Sequence, residues 1–132
     1  MSNTPLLQVK NLSTSFNVDA GEVRAVNGIS FNLDRGRVLG IVGESGCGKS
    51  VTAYSIMRIL VEPGKITGGE ILFNGEDVTR FSERQMREFR GKKVSIIFQD
   101  PMTSLNPEYT IGNQLREAIL QHTDRNRAEA NA

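Results

Sequence analysis

The chain has 132 residues, of which 38% are hydrophobic and 23% charged, with a net charge of +1. That suits one small globular domain and excludes a disordered chain, and the near-neutral charge offers no broad basic footprint for nucleic acid. The longest apolar runs, about five residues, fall far short of the roughly 20 that span a bilayer, and a single cysteine cannot form an internal disulfide.

The N-terminus, Met-Ser-Asn-Thr-Pro, lacks the basic-then-apolar pattern of a signal peptide. The expectation is therefore a reducing, cytosolic setting, with any membrane association made through a partner. Residues 7–12 alternate apolar and polar, which predicts a half-buried strand, and 14–18 continue it. Residues 19–22 read as a turn. Strand pieces follow at 23–26 and 29–33, with a bend at Asn27-Gly28. After a turn at 34–36, the run Val38-Leu39-Gly40-Ile41-Val42 predicts a fully buried strand, and residues 50–60 predict a helix. Residues 61–64 break the chain. A short strand is expected at 69–75 and a polar helix at 82–89 with Ser82 as N-cap. A further strand is expected at 93–98, then a proline-broken loop at 100–107. Ile111, Leu115, Ala118 and Ile119 share one face of a helix reaching His122, and a polar tail ends the chain.

Between the buried strand and the helix lies Gly43-Glu44-Ser45-Gly46-Cys47-Gly48-Lys49-Ser50, a complete G-x-x-x-x-G-K-[ST] phosphate-binding loop. Ordinary residue frequencies would give such a match by chance in about 1 chain in 200 of this length. The strand–loop–helix setting is the one the motif requires. Glycines at 43, 46 and 48 let the backbone take positive φ and come close to an anion. Successive N–H groups form a nest for it, and the following helix turns its positive dipole end to the same place. Lys49 brings a charge to the β- and γ-phosphates, and Ser50 a hydroxyl to Mg²⁺. The dinucleotide fingerprint G-x-G-x-x-G fails, because Val51 stands where its third glycine belongs.

Two segments together resemble the N-terminal half of an ABC-transporter ATP-binding subunit, in the branch that powers dipeptide and oligopeptide import. The first runs Gly40-Ile41-Val42 through the loop to Val51-Thr52. The second is Ile97-Phe98-Gln99-Asp100-Pro101-Met102-Thr103-Ser104-Leu105-Asn106-Pro107, which is similar to the family's glutamine loop. The resemblance runs from about Leu6 to the end of the chain. It implies an α/β P-loop NTPase fold, incomplete here: an antiparallel β subdomain, part of a parallel sheet and the start of a helical subdomain.

By the same resemblance, residues 43–51 hold ATP, and Ser50 and Gln99 serve Mg²⁺, Gln99 also approaching the attacking water. Phe16 resembles the adenine-stacking aromatic; its alternative is a strand core residue. Val51 stands where many members carry Thr or Ser, so a side-chain contact to the α-phosphate is lost and the backbone N–H remains. Cys47 is read as a small space-filler, since the family uses Ser or Cys there. His122 is read as structural or exposed. The implied partners are transmembrane permease subunits and a second ATP-binding subunit, at the cytoplasmic face of the inner membrane, with no direct membrane insertion.

The 132 residues contain no Leu-Ser-Gly-Gly-Gln signature and no strand of four apolar residues followed by Asp-Glu. The expectation is one partial nucleotide-binding domain over 1–132, truncated before both motifs, which binds nucleotide and does not hydrolyse it alone. Two alternatives remain open on sequence: a non-catalytic remnant that docks on transporter subunits, and a small P-loop kinase, for which no acceptor site or lid is visible.

Overall fold

Alternating apolar residues in the first third of the chain build two of the four strands of the sheet in the first part of the structure. The computed structural model describes residues 4–100 and 104–131. Strand β1 (Leu7–Val18) pairs antiparallel with β2 (Gly21–Leu33) on one side and β3 (Gly64–Phe73) on the other, and a two-residue β4 (Glu76–Asp77) closes the order β2-β1-β3-β4. The expected turn is the tight link Asp19-Ala20, with Val18 opposite Gly21. The bend expected at Asn27-Gly28 is a bulge instead, and a second bulge, not expected, lies in β1. Asn11 at φ 48° and Gly28 at φ 67° absorb register shifts without ending either strand. Gly69, at φ 89°, lies against the Lys10 and Asn11 carbonyls, so no side chain fits there.

Val9, Leu12, Val26 and Ile71 bury one face of this sheet, joined by Met57, Val78 and Met86. Each such side chain contributes roughly 1.5–3 kcal/mol of transfer free energy. Helix α1 (Lys49–Met57) ends earlier than its apolar pattern suggests. Arg58 takes the left-handed conformation at φ 49°, and Ile59 N–H returns to the Tyr54 carbonyl at 3.0 Å. The Arg58 guanidinium donates to the Phe81 carbonyl at 2.6 Å, tying the end of α1 to the residue that closes the 3-10 turn Val78–Arg80. Strand β3 begins five residues earlier than expected, because residues 64–68 extend the pairing with β1.

Helix α2 (Glu83–Lys92) starts with the expected Ser82 cap, as a reciprocal pair: Ser82 N–H donates to Gln85 Oε1 at 2.9 Å and Gln85 N–H to Ser82 Oγ at 3.3 Å. Its helical dihedrals stop at Arg90 and Gly91. Helix α3 (Ile111–His122) is the expected amphipathic helix, with Thr110 Oγ1 accepting from Asn113 N–H. The chain divides into two compact units, Met1–Met86 and Arg87–Ala132. In the second unit the His122 ring lies against Gly91, where a side chain would collide with it, so the structural reading of this histidine holds.

Two expected strands are not formed. Residues 38–42 and 95–98 belong to no strand among the described residues, and Val94 makes only an isolated bridge to Arg90. Val38, Val42 and Ile97 are almost fully exposed. A parallel strand is stable when neighbours pair with it and both its faces are covered, and the described residues supply neither. The sheet that is present is antiparallel throughout.

Candidate phosphate-binding site

The loop Gly43-Glu44-Ser45-Gly46-Cys47-Gly48 is built in the first unit, between the apolar segment 38–42 and α1. Gly46 at φ 79° and Gly48 at φ 95° take the positive dihedrals that their sequence positions demand. Cys47 N–H closes a turn onto the Glu44 carbonyl at 3.3 Å. Gly48 is the N-cap of α1, and no side chain caps it. The N–H groups that begin a helix have no partner within it, and here those are the N–H groups of Gly48, Lys49, Ser50 and Val51. The first intrahelical bond runs from Thr52 N–H to the Gly48 carbonyl at 2.9 Å, and Thr52 Oγ1 reaches the same carbonyl at 2.9 Å.

Lys49 folds back over the loop. Its Nζ donates to the carbonyls of Gly43 at 2.7 Å and Glu44 at 2.6 Å, and lies 3.5 Å from Cys47 Sγ. The ammonium therefore braces the loop's curve. A Cβ on Gly43 would come within 2.5 Å of Cys47 Sγ, and one on Gly48 would collide with the Ala25 carbonyl of β2. The cradle is thus close-packed on its protein side. Cys47 is a free, exposed thiol whose Sγ lies against Gly43.

Beneath the loop, α1 is fastened to the sheet by a buried pair: Thr14 Oγ1 and Ser55 Oγ lie 2.8 Å apart, and Ser55 Oγ donates to the Val51 carbonyl at 2.7 Å. Sequence reading missed this pair, since a threonine in a strand and a serine in a helix carry no motif.

Phe16 lies on β1 in the same unit, opposite Val23 and Gly64. It is half-buried, with its ring edge against Gly64, where a Cβ would stand 2.6 Å from Cε1. It is neither a core residue nor a free one. Alternation along the strand places Val18 on its side of the sheet, and Val23 is its cross-strand partner. Both are about half exposed, so Phe16 sits in an uncovered apolar patch that no sequence motif marks. Ser50 is exposed on the first turn of α1, and Val51 is half-buried next to it. Gln99 falls in the second unit, exposed in a bend beyond residues 93–98. Of the loop after it, Pro101, Met102 and Thr103 lie outside the described residues. From Ser104 onward it is held by Gln114, whose side chain accepts from Asn106 N–H and donates to the Asn106 and Tyr109 carbonyls, each near 2.9 Å. Among the described residues no group of three or more acidic, His or Cys side chains could hold a metal ion by itself.

The loop and the helix that opens at it have the P-loop arrangement, without the preceding strand among the described residues, and comparison with solved structures gives the fold as that of an ABC cassette. The dimeric MJ0796 cassette, a bacterial ABC transporter cassette, superposes with a TM-score of 0.78 over 95% of this chain and 52% of its own, at 20% identity. The family model for ABC transporters matches residues 26–132, and the chain belongs to that family. The "Probable peptide ABC transporter ATP-binding protein y4tR" of Sinorhizobium fredii is 52% identical over 126 residues, which are 95% of this chain and 38% of that protein. The dipeptide transport ATP-binding protein DppD of Bacillus subtilis is 53% identical over 118 residues, 89% of this chain and 35% of that protein. The oligopeptide transport ATP-binding protein OppD of Escherichia coli is 46% identical over 125 residues, 95% of this chain and 37% of that protein. The chain thus spans little more than a third of the length of these relatives.

Proposed function

We propose that the chain binds Mg·ATP through residues 43–51, as part of a nucleotide-binding domain that powers dipeptide or oligopeptide import. The observation that carries the reading is the uncapped start of α1 behind two left-handed glycines, with Lys49 bracing the loop. The residues fit the group: backbone donors face no competing cap, and a cation stands over the loop. Gly43, Glu44, Ser45, Gly46, Cys47, Gly48, Lys49, Ser50 and Val51 would hold the phosphates, Ser50 the Mg²⁺, and Phe16 the adenine; for Gln99, a role toward Mg²⁺ rests on the family resemblance of its segment alone. Bound Mg²⁺ would supply neutralisation of phosphate charge. A relative cassette has been solved with ADP and Pi bound, and the named relatives are ATP-binding proteins of peptide transporters, which supports the same reading.

The partners in this reading are transmembrane permease subunits and a second ATP-binding subunit, at the cytoplasmic face of the membrane. Among the described residues no helix is long and apolar enough to cross a bilayer. The loop 100–107 would meet the permease, and a cysteine placed at Glu108 should crosslink to it. Residues 1–132 would be one partial domain. Phosphoryl transfer needs metal, water and charge stabilisation placed together, and the chain's sequence holds neither the family's signature nor its acidic strand end. The 132 residues would bind without turnover.

Titration of Mg·ATP into the wild type and Lys49→Ala tests the binding. Loss of one charge-assisted contact should cost about 1.5–3 kcal/mol. Equal affinity in the two proteins would defeat the proposal.

A further inference from the structure

We propose that Thr14 and Ser55 are positioning residues that set the distance between the base end and the phosphate end of the nucleotide site. The inference rests on the reading of the site just given. Both residues are fully buried, at 0% exposure, and their hydroxyls lie 2.8 Å apart. A serine hydroxyl has one proton to give. Ser55 gives its proton to the Val51 carbonyl at 2.7 Å, so Thr14 is the donor in the pair. The result is a directed chain from Thr14 through Ser55 to Val51, in the first turn of α1.

Its two ends are the two ends of the site. Val51 closes the phosphate-binding run, one residue past Ser50. Thr14 is two residues from Phe16 on β1, which pairs on both edges: Thr14 faces Val26 and Ile66, and Phe16 faces Val23 and Gly64, with one register shift against β2 between Thr14 and Ser15. Gly48 abuts β2 at Ala25 and Val26, which fixes the loop laterally. The hydroxyl pair adds a directional restraint along α1. An apolar pair of the same shape would be about as stabilising, because burying hydroxyls cancels most of what their bond returns. Directionality, not stability, distinguishes this pair.

A ligand that touches both ends gains from the second contact only if its span matches the spacing of the sites. ATP touches both ends; inorganic triphosphate touches one. Thr14→Val keeps the shape, removes the donor and leaves Ser55 its bond to Val51. It should therefore raise the ATP dissociation constant by about threefold, within the roughly fivefold that the whole base contact is worth, while leaving that of triphosphate unchanged. Thr14→Ser, which keeps the hydroxyl, should behave as wild type toward both. The double variant Thr14→Val/Ser55→Ala strands no hydroxyl and should match Thr14→Val.

The experiment is calorimetric titration of the 132-residue chain and these variants with Mg·ATP and Mg·triphosphate, with circular dichroism to monitor folding. Selective loss of ATP affinity, restored by Thr14→Ser, supports the proposal. Equal loss of both ligands, no loss of either, or failure of both valine-bearing proteins to fold would overturn it and leave the pair a core feature. A wild type that prefers ATP while Thr14→Val keeps that preference overturns the positioning role alone. A wild type that binds neither ligand overturns the reading of the site itself.

Discussion

Phe16 separates base recognition from phosphate recognition within one side chain. If its ring stacks on adenine, Phe16→Ala should weaken ATP by about 1 kcal/mol and barely change inorganic triphosphate. Paired titrations decide it, since a purely structural role would weaken both ligands together. The two loop glycines make a second contrast at this scale. Gly46 and Gly48 both have positive φ, but only Gly48 has the Ala25 carbonyl where a Cβ would go. Gly46→Ala carries the dihedral penalty alone, about 1 kcal/mol. Gly48→Ala adds the collision, and its thermal midpoint should fall clearly below that of Gly46→Ala. Equal midpoints would mean that the loop is not seated on β2. The positive φ of Gly46 and Gly48 was legible in the sequence, because the motif's tight loop demands it there, while Gly43, expected to share it, is not among the positive-φ glycines. Thr14 and Ser55 were not legible, because their meaning arises only when β1 and α1 are packed together.

Caps and periodicities carried the elements that rely on their own residues. The Ser82–Gln85 reciprocal bonds stand where the sequence placed them. Ser82→Ala should cost about 1 kcal/mol of stability, read from urea unfolding, with Ser82→Thr close to wild type. No loss in the alanine variant would show that the cap is not formed in solution. Helix α3 was legible from its apolar period and has its Thr110 cap, although Ile111 and Leu115 of that face are exposed. The bulge at Gly28 was read as a bend between two strand pieces, and the one at Asn11 left no mark in the pattern, because local alternation cannot tell an extra residue in a continuing strand from the end of one. Residues 38–42 and 93–98 show the opposite limit. Their composition is that of strands buried on both faces, but a strand exists only with a partner to pair with. The ends of β3 and α1 were set by contacts with β1 and by Arg58, neither of which leaves a periodic trace.

At the scale of the whole molecule, the same exposed apolar residues make the chain prone to self-association. Val38 and Val42 are 99% and 92% exposed, so Val38→Lys or Val42→Lys removes no packing. Stability should stay within about 0.5 kcal/mol of wild type, while solubility rises, as light scattering would show. A large loss of stability would mean that the segment is packed in solution. The central claim is that these residues hold a nucleotide and do not process it. Gel filtration of the chain through a column equilibrated with γ-labelled Mg·ATP, followed by chromatography of the label in the protein peak, tests both halves in one measurement. The expected result is a peak of bound label with wild type that is lost with Lys49→Ala, and that label recovered as intact ATP. A peak without label, or label released as phosphate in a Lys49-dependent manner, would contradict it.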